Sequence, residues 1–289
     1  MQGKIGSTSF VNKTLNDNNL HAKKKFGQNF LTDQNILTSI VDAAEIDENT
    51  AVIEIGPGLG SLTEHLCNKA GFVLCYEIDG DLIPILKNNL SKYNNYEIIH
   101  KDILEVDINK DIDEKLSKFN NVYLVANLPY YITTPIILGL LSKTDKITRY
   151  VMMMQLEVAD RICGKPKTKD YNALSIAIKY RSEATKVCKV PRTVFIPAPN
   201  VDSAVVKLDL YSNKKYSAVN EDFFFNFIRV CFNQRRKTIV NNLSSEFSKD
   251  LILKALNEFN IKSTVRSEEL DIDEFIKLSD FIYLNKKDN

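Results

Sequence analysis

Apolar residues along the chain alternate between two periods. Short runs rich in β-branched and aromatic residues recur at Ala51 to Ile55, Phe72 to Tyr76, Tyr96 to His100, Val122 to Val125 and Tyr150 to Leu156, the pattern of strands buried in a sheet. Between them the spacing turns helical: Ile36, Leu37, Ile40, Val41 and Ala44, then Leu62, Leu66 and Ala70, then Ile136 to Leu141. Strand and helix in alternation predict an α/β domain with a mostly parallel sheet. Glu157 to Ile162 begins another helix. Thr185 to Val190 and Ala204 to Leu210 are two further strands, expected to pair as a hairpin. Beyond Asn220 only the helical period remains: Phe223, Phe224, Phe227, Ile228 and Cys231 share one face, and periodic runs cover Leu251 to Phe259 and Asp273 to Leu284. A domain boundary is therefore expected within residues 211–219. Residues 1–22 hold few apolar positions and no sustained period, and read as a flexible leader.

At 289 residues and 44% hydrophobic content the chain can bury one large core and a smaller one. No apolar run approaches the roughly 20 residues of a membrane span, and the polar N-terminus has no apolar signal core, which places the protein in the cytoplasm. Five cysteines, scattered and without a CxxC pair, indicate reduced thiols rather than a disulfide framework or a zinc site. A net charge of +1 conceals an asymmetry: 16 acidic and 5 basic residues from Asp42 to Glu114, against 12 basic and 5 acidic from Lys143 to Arg192. Such a split suits a phosphate-bearing partner, although a charge run is more often a solvated face.

The candidate chemistry collects where strands end. Ala51 to Ile55 runs into Gly56-Pro57-Gly58-Leu59-Gly60, a strand, glycine turn and helix start, with Ser61 and Glu64 expected to form a capping box. Glycine lets the backbone close on a ligand, but a lone GxGxG is a weak signal. The next strand ends at Glu77, 21 positions after Gly56, where a carboxylate accepts from ribose hydroxyls. The third ends at Asp102, which can accept from an adenine amino group while Ile78 and Ile103 sandwich the ring. Each acid alone is more often a surface charge; three successive strand ends make that reading untenable. With no GK[ST], a nucleoside triphosphate is disfavoured, leaving dinucleotides and S-adenosylmethionine. The fourth strand end, Asn127-Leu128-Pro129-Tyr130, favours the second. An amide, a carbonyl before proline and an aromatic ring can hold a planar base bearing an amino group, and the tetrad resembles the [Asn/Asp/Ser]-Pro-Pro-aromatic signature of methyltransferases that modify exocyclic amines. Phe195, on a loop stiffened by Pro191 and Pro197, is either cover for a core or a ring that stacks on an extruded base.

Taken in order, KFGQNFL, IEIGPGLGSLT, YEID, KDIL, ANLPYYITTP, QLEVADRI, VFIPAPNVDSAVV and FNQRRK resemble the small-subunit (16S) ribosomal RNA adenine N6,N6-dimethyltransferase family (KsgA/RsmA type). The likeness runs from about Lys23 to the C-terminus. It implies a class I S-adenosylmethionine-dependent methyltransferase, Rossmann-like with a mostly parallel seven-stranded sheet, over residues 23–212, and a small all-helical RNA-binding domain over 213–289. It implies that Asn29, Leu31, Gly56, Glu77, Asp102 and Asn127 contact S-adenosyl-L-methionine, that Asn127, Leu128, Pro129 and Tyr130 hold the target adenine, and that Phe195 stacks against it. The implied reaction places two methyl groups on N6 of each of two adjacent adenosines in the 3′-terminal hairpin of 16S rRNA, within the small subunit or its precursor. A monomer without metal or membrane is expected. The basic segments Lys23 to Lys25 and Gly164 to Asn172 are candidate phosphate contacts, and otherwise solvated surface; Gln234 to Lys237 is expected to end the first C-terminal helix, where cations favour the dipole, or else to contact phosphate. The rival enzyme reading is the related antibiotic-resistance methyltransferase of 23S rRNA; the rival outside catalysis is a binding-only assembly factor.

Overall fold

The structure, a computed structural model, describes residues 5–23 and 26–286. In chain order the strands are β1 (Phe30–Leu31), β2 (Thr50–Ile55), β3 (Phe72–Glu77), β4 (Tyr96–His100), β5 (Asn121–Asn127), β6 (Arg149–Gln155), β7 (Ser182–Val190), β8 (Phe195–Ile196) and β9 (Ser203–Leu210). The helices are α1 (Thr8–Asp17), α2 (Gln34–Ala44), α3 (Ser61–Cys67), α4 (Ile83–Asn89), α5 (Ile108–Asp111), α6 (Thr133–Lys143), α7 (Leu156–Ile162), α8 (Ala173–Arg181), α9 (Glu221–Cys231), α10 (Ile239–Leu243), α11 (Lys249–Glu258) and α12 (Ile272–Asn285).

Seven strands form one sheet in the order β4-β3-β2-β5-β6-β9-β7, with β1 and β8 as a separate antiparallel pair. From β4 to β6 the pairings are parallel, and β9 joins β6 antiparallel, so the sheet is mixed but mostly parallel. Strands β2 and β6 are buried along almost their whole length, and Met152, Met153 and Met154 are core filling. All five cysteines are free, and no described helix is long and apolar enough to cross a membrane.

The chain divides into two compact units, Met1–Ala159 with Thr185–Leu210, and Asp160–Ala184 with Tyr211–Asn289. One boundary near residues 211–219 therefore does not describe the division: a stretch expected in the first domain belongs with the C-terminal helices. Aromatic packing explains why. Tyr180 of α8 lies 5.0 Å, ring to ring, from Phe224 of α9, its hydroxyl accepts from the Ala218 amide at 2.9 Å, and Arg181 pairs with Glu221 at 3.0 Å.

Three local expectations also need correction. Of the expected flexible leader, residues 1–4 lie outside the described residues, and the rest is not simply flexible, since Thr8–Asp17 is helical and Val11 is fully buried among Phe30, Leu59 and Leu82. The Ser61/Glu64 capping box does not form: Gly60 takes the N-cap, Ser61 is buried one position inside, and Glu64 pairs with Lys92. Arg235 to Lys237 do not close α9, which ends at Cys231; they sit exposed in the turn leading to α10. Lys24 and Lys25 of the basic run lie outside the described residues.

Candidate active site

Because β4, β3, β2 and β5 are neighbours in that order, their carboxyl ends stand in a row, and the row carries Asp102, Glu77, Gly56 and Asn127. At roughly 4.8 Å per strand the row spans about 14 Å, enough for a nucleoside joined to an amino acid in extended form. A cleft open to solvent follows the row from Glu77 to Asn127, walled in part by Asn29, Leu31, Gly56, Glu77, Ile78 and the segment Asn127–Tyr130, while Asp102 lies outside its lining. Open α/β sheets place ligands at such a crevice.

Each wall residue is fixed by its own element. Gly56 sits at φ +68° with nothing within 4 Å of where a Cβ would be, so the left-handed turn itself demands glycine and the backbone faces open space. Glu77, the last residue of β3, is 4% exposed. Its carboxylate accepts from the Gly58 amide at 3.1 Å and the Asp79 amide at 2.8 Å. Burial raises its pKa, and these backbone donors work against that rise. A carboxylate so held keeps one orientation toward a diol. Ile78, beside it, is 39% exposed, an unpartnered flat apolar side chain at the cavity. Asp102 caps the following turn by accepting from the Leu104 amide at 2.9 Å, and Ile103 is buried.

At the other end of the row, Leu128 donates its amide to the Met153 carbonyl at 3.1 Å, continuing the β5–β6 pairing into the loop. Asn127 donates its side-chain nitrogen to the Asn29 carbonyl at 3.3 Å. A carbonyl can only accept, so this contact fixes which way the carboxamide points and leaves its oxygen as the acceptor. Asn29 is itself held by donating to the Gly27 carbonyl at 3.0 Å. Tyr130 is anchored through its hydroxyl to Ser203 at 2.6 Å, and burial raises its pKa. The helix after this loop starts at Thr133, whose hydroxyl donates to the Pro129 carbonyl at 2.9 Å.

Phe195 stands apart. It is 3% exposed, pairs in register with Leu31 across β1–β8 and packs in the cluster that holds Leu37, Val125 and Met153. Its ring is in the core rather than on the cavity wall. One residue that sequence reasoning missed lies beneath the site: Glu54, next to last in β2, is fully buried, lines the cavity and receives the Cys75 thiol at 3.7 Å. Burial pushes its pKa up to about 8. The available signal was a single acid inside the apolar run AVIEI, which an uncompensated strand does not tolerate. No cluster of metal-ligating side chains occurs among the described residues.

The model of the family described as ribosomal RNA adenine dimethylase matches residues 19–284. The chain belongs to that family. It is an S-adenosylmethionine-dependent methyltransferase acting on adenine of ribosomal RNA, and the glycine turn, the fixed Glu77 carboxylate and the exposed Ile78 fit an adenosine-bearing donor. Among the family's curated members, the ribosomal RNA small subunit methyltransferase A of Lysinibacillus sphaericus (strain C3-41) is 50% identical over 266 residues, covering 90% of this chain and 91% of that protein. Among solved structures, a dimethyladenosine transferase from Plasmodium falciparum aligns with TM-score 0.72 and 31% identity, covering 86% of this chain and 95% of the other. The 23S rRNA methyltransferase ErmE aligns with TM-score 0.68 and 25% identity, covering 88% and 100%.

Proposed function

We propose that this dimethylase modifies N6 of two adjacent adenosines in the 3′-terminal hairpin of 16S rRNA, on the small subunit or its precursor in the cytoplasm, acting as a monomer. Half-identity to a small-subunit methyltransferase over nine-tenths of both chains supports that substrate over the 23S rRNA of ErmE. The observation that carries the catalytic reading is the Asn127–Asn29 contact, which commits the carboxamide nitrogen and turns its oxygen into the acceptor.

The amino nitrogen of adenine is a poor nucleophile because its lone pair is delocalised into the ring. Asn127 Oδ1 and the Leu128 carbonyl accept its two protons, which draws the nitrogen toward tetrahedral geometry and frees the lone pair. Tyr130, braced by Ser203, supports one face of the ring, and Phe195 supports the other after moving from its buried position. When bound, S-adenosylmethionine supplies an electrophilic methyl group on a cationic sulfur. Asn29, Leu31, Gly56, Glu77 and Asp102 would hold it, Glu77 on the ribose and Asp102 on the adenine. No strong base is required, since the bond from N6 to the methyl carbon would form as the methyl–sulfur bond breaks, with S-adenosylhomocysteine leaving as a neutral thioether, and N6 would then release its proton to water. Catalysis then rests on positioning and electrostatics. The base must leave its stack, which is least costly in a loop.

Asn127→Ala is expected to lower methyl transfer from labelled S-adenosylmethionine to small-subunit RNA by roughly 10²-fold or more. Wild-type turnover would remove the assigned role. Mass spectrometry of both rRNAs then identifies the substrate: dimethyladenosine in 23S rather than 16S rRNA overturns the small-subunit reading.

A further inference from the structure

The cavity wall is not made by the strand ends alone. Phe30, Leu59 and Leu82 each face the cavity on one side and, on the other, pack around Val11 of α1, with Leu15, Leu20 and Ala22 partly buried against the same cluster. The segment before α1 is equally tied down. Gly6, at φ +83°, lies so close to the start of α3 that a Cβ would come within 2.7 Å of Ser61 Oγ. The Ile5 carbonyl accepts from Gln34 Nε2 at 3.1 Å, and Gln34 Oε1 meets His65 Nε2 at 3.1 Å.

Past α1, Lys23 Nζ donates to Asp79 Oδ1 and to Asp81 Oδ2, both at 2.6 Å. Gln28 accepts from the Lys23 amide at 2.8 Å and donates to Asp79 Oδ2 at 2.7 Å. The Asp79 side chain is only 4% exposed, so these two partners are what make its buried charge tolerable. Asp79 in turn gives its backbone amide to Glu77. A single line of contacts thus runs from Lys23 through Asp79 to the carboxylate assigned to the ribose.

We propose that the N-terminal segment is a built part of the cofactor site, with Val11 a positioning residue for the wall formed by Phe30, Leu59 and Leu82, and Lys23 a positioning residue for Glu77 acting through Asp79. The proposal rests on reading the strand-end cavity as the S-adenosylmethionine site. The wall residues pack from both sides only while α1 is docked, and Glu77 keeps its donor only while Asp79 is neutralised. Binding of the donor and docking of the N-terminal helix are therefore coupled, each raising the other.

Five single variants test this in the full-length protein, with S-adenosylhomocysteine as calorimetric probe and steady-state methylation of small-subunit RNA as assay. Val11→Asp and Lys23→Met are expected to raise the dissociation constant, and the KM for S-adenosylmethionine, by roughly tenfold or more. At saturating donor, kcat and the KM for RNA should stay within about twofold, and Lys23→Arg should restore affinity. Lys13→Ala, on the exposed side of α1, should match wild type throughout. If Lys23→Met only lowers the melting temperature while donor affinity is unchanged, the segment is mere scaffold and the proposal fails; this variant decides the matter even if Val11→Asp does not fold. Equal loss of kcat and of RNA affinity would also overturn it. Glu77→Ala separates the two levels: unchanged affinity there removes the site reading itself, whereas lost affinity there with normal Lys23→Met binding removes only the part assigned to the N-terminal segment.

Discussion

The two units bury different things. In the first, Glu54, Glu77 and Asp79 are all 4% exposed or less, and all three gather at the carboxyl ends of β2 and β3. In the second, the buried polar residues among those described are neutral, Ser175, Ser182, Asn242, Ser267 and Ser279, and the core is a cluster of aromatic rings around Tyr180, Phe224, Phe227 and Phe275. Burying a carboxylate costs several kcal/mol unless partners offset it, and the first unit carries that cost only around its cavity. The second keeps its charges outside and gives its interior to packing. Concealed charge here marks chemistry, and concealed aromatic surface marks scaffold.

This contrast can be broken at both poles. Phe224→Ala in the second core should cost about 3–5 kcal/mol of stability by denaturant unfolding, and a loss under 1 kcal/mol would mean the rings are not the scaffold. Glu54→Gln probes the first core through pH. The folded-state pKa of about 8 lies above the usual 4.5, so below pH 4.5 the group is protonated both folded and unfolded and costs nothing. As pH climbs from 4.5 toward 8 the unfolded chain ionises while the folded one holds its proton, and stability falls. The Gln variant escapes that loss, so its advantage should grow through this window to on the order of a few kcal/mol and then level off. A constant difference across pH 5–8 would refute the buried-acid account. The smallest effect belongs to the exposed loop: Lys165, Lys167 and Lys169 together changed to Ala should reduce the log–log salt slope of RNA binding by about 2 with no change in unfolding. An unaltered slope would assign these lysines to solvent.

The sequence made the strand-end chemistry legible because the relevant residues follow one another: a strand, then glycines, an acid or Asn-Leu-Pro-Tyr. That Glu77 is held by two backbone donors, and Asn127 by a carbonyl 98 positions earlier, depends on loops that no local pattern describes. Helix α1 escaped for a related reason. A ten-residue helix is marginal in isolation, its apolar stripe is short, and it exists because Phe30, Leu59 and Leu82 supply the other half of its core. The basic span Lys143 to Arg192 does not offer all its cations to a phosphate-bearing partner. Arg149 pairs with Glu45 and Asp209, Lys189 with Asp202, Arg181 with Glu221 and Lys146 with Asp113, and the span is divided between the two units. Counting charges along a chain cannot tell a cation offered to RNA from one already satisfied.

The amide of Leu128, bonded to Met153 one residue past the end of β5, bears on how the energy of the reaction is shared. The loop proposed to meet the adenine is a prolongation of the sheet, so its backbone stays where the central strands hold it. The protein then has little reorganisation left to undergo along the part of the site formed by Asn127 and Leu128. In the proposed mechanism the conformational work of reaching the reactive geometry falls mainly on the RNA, which must swing a nucleotide out, and on the ring of Phe195. Substrates should therefore differ in rate according to how readily their own loop opens, and temperature should act on turnover chiefly through the nucleic acid.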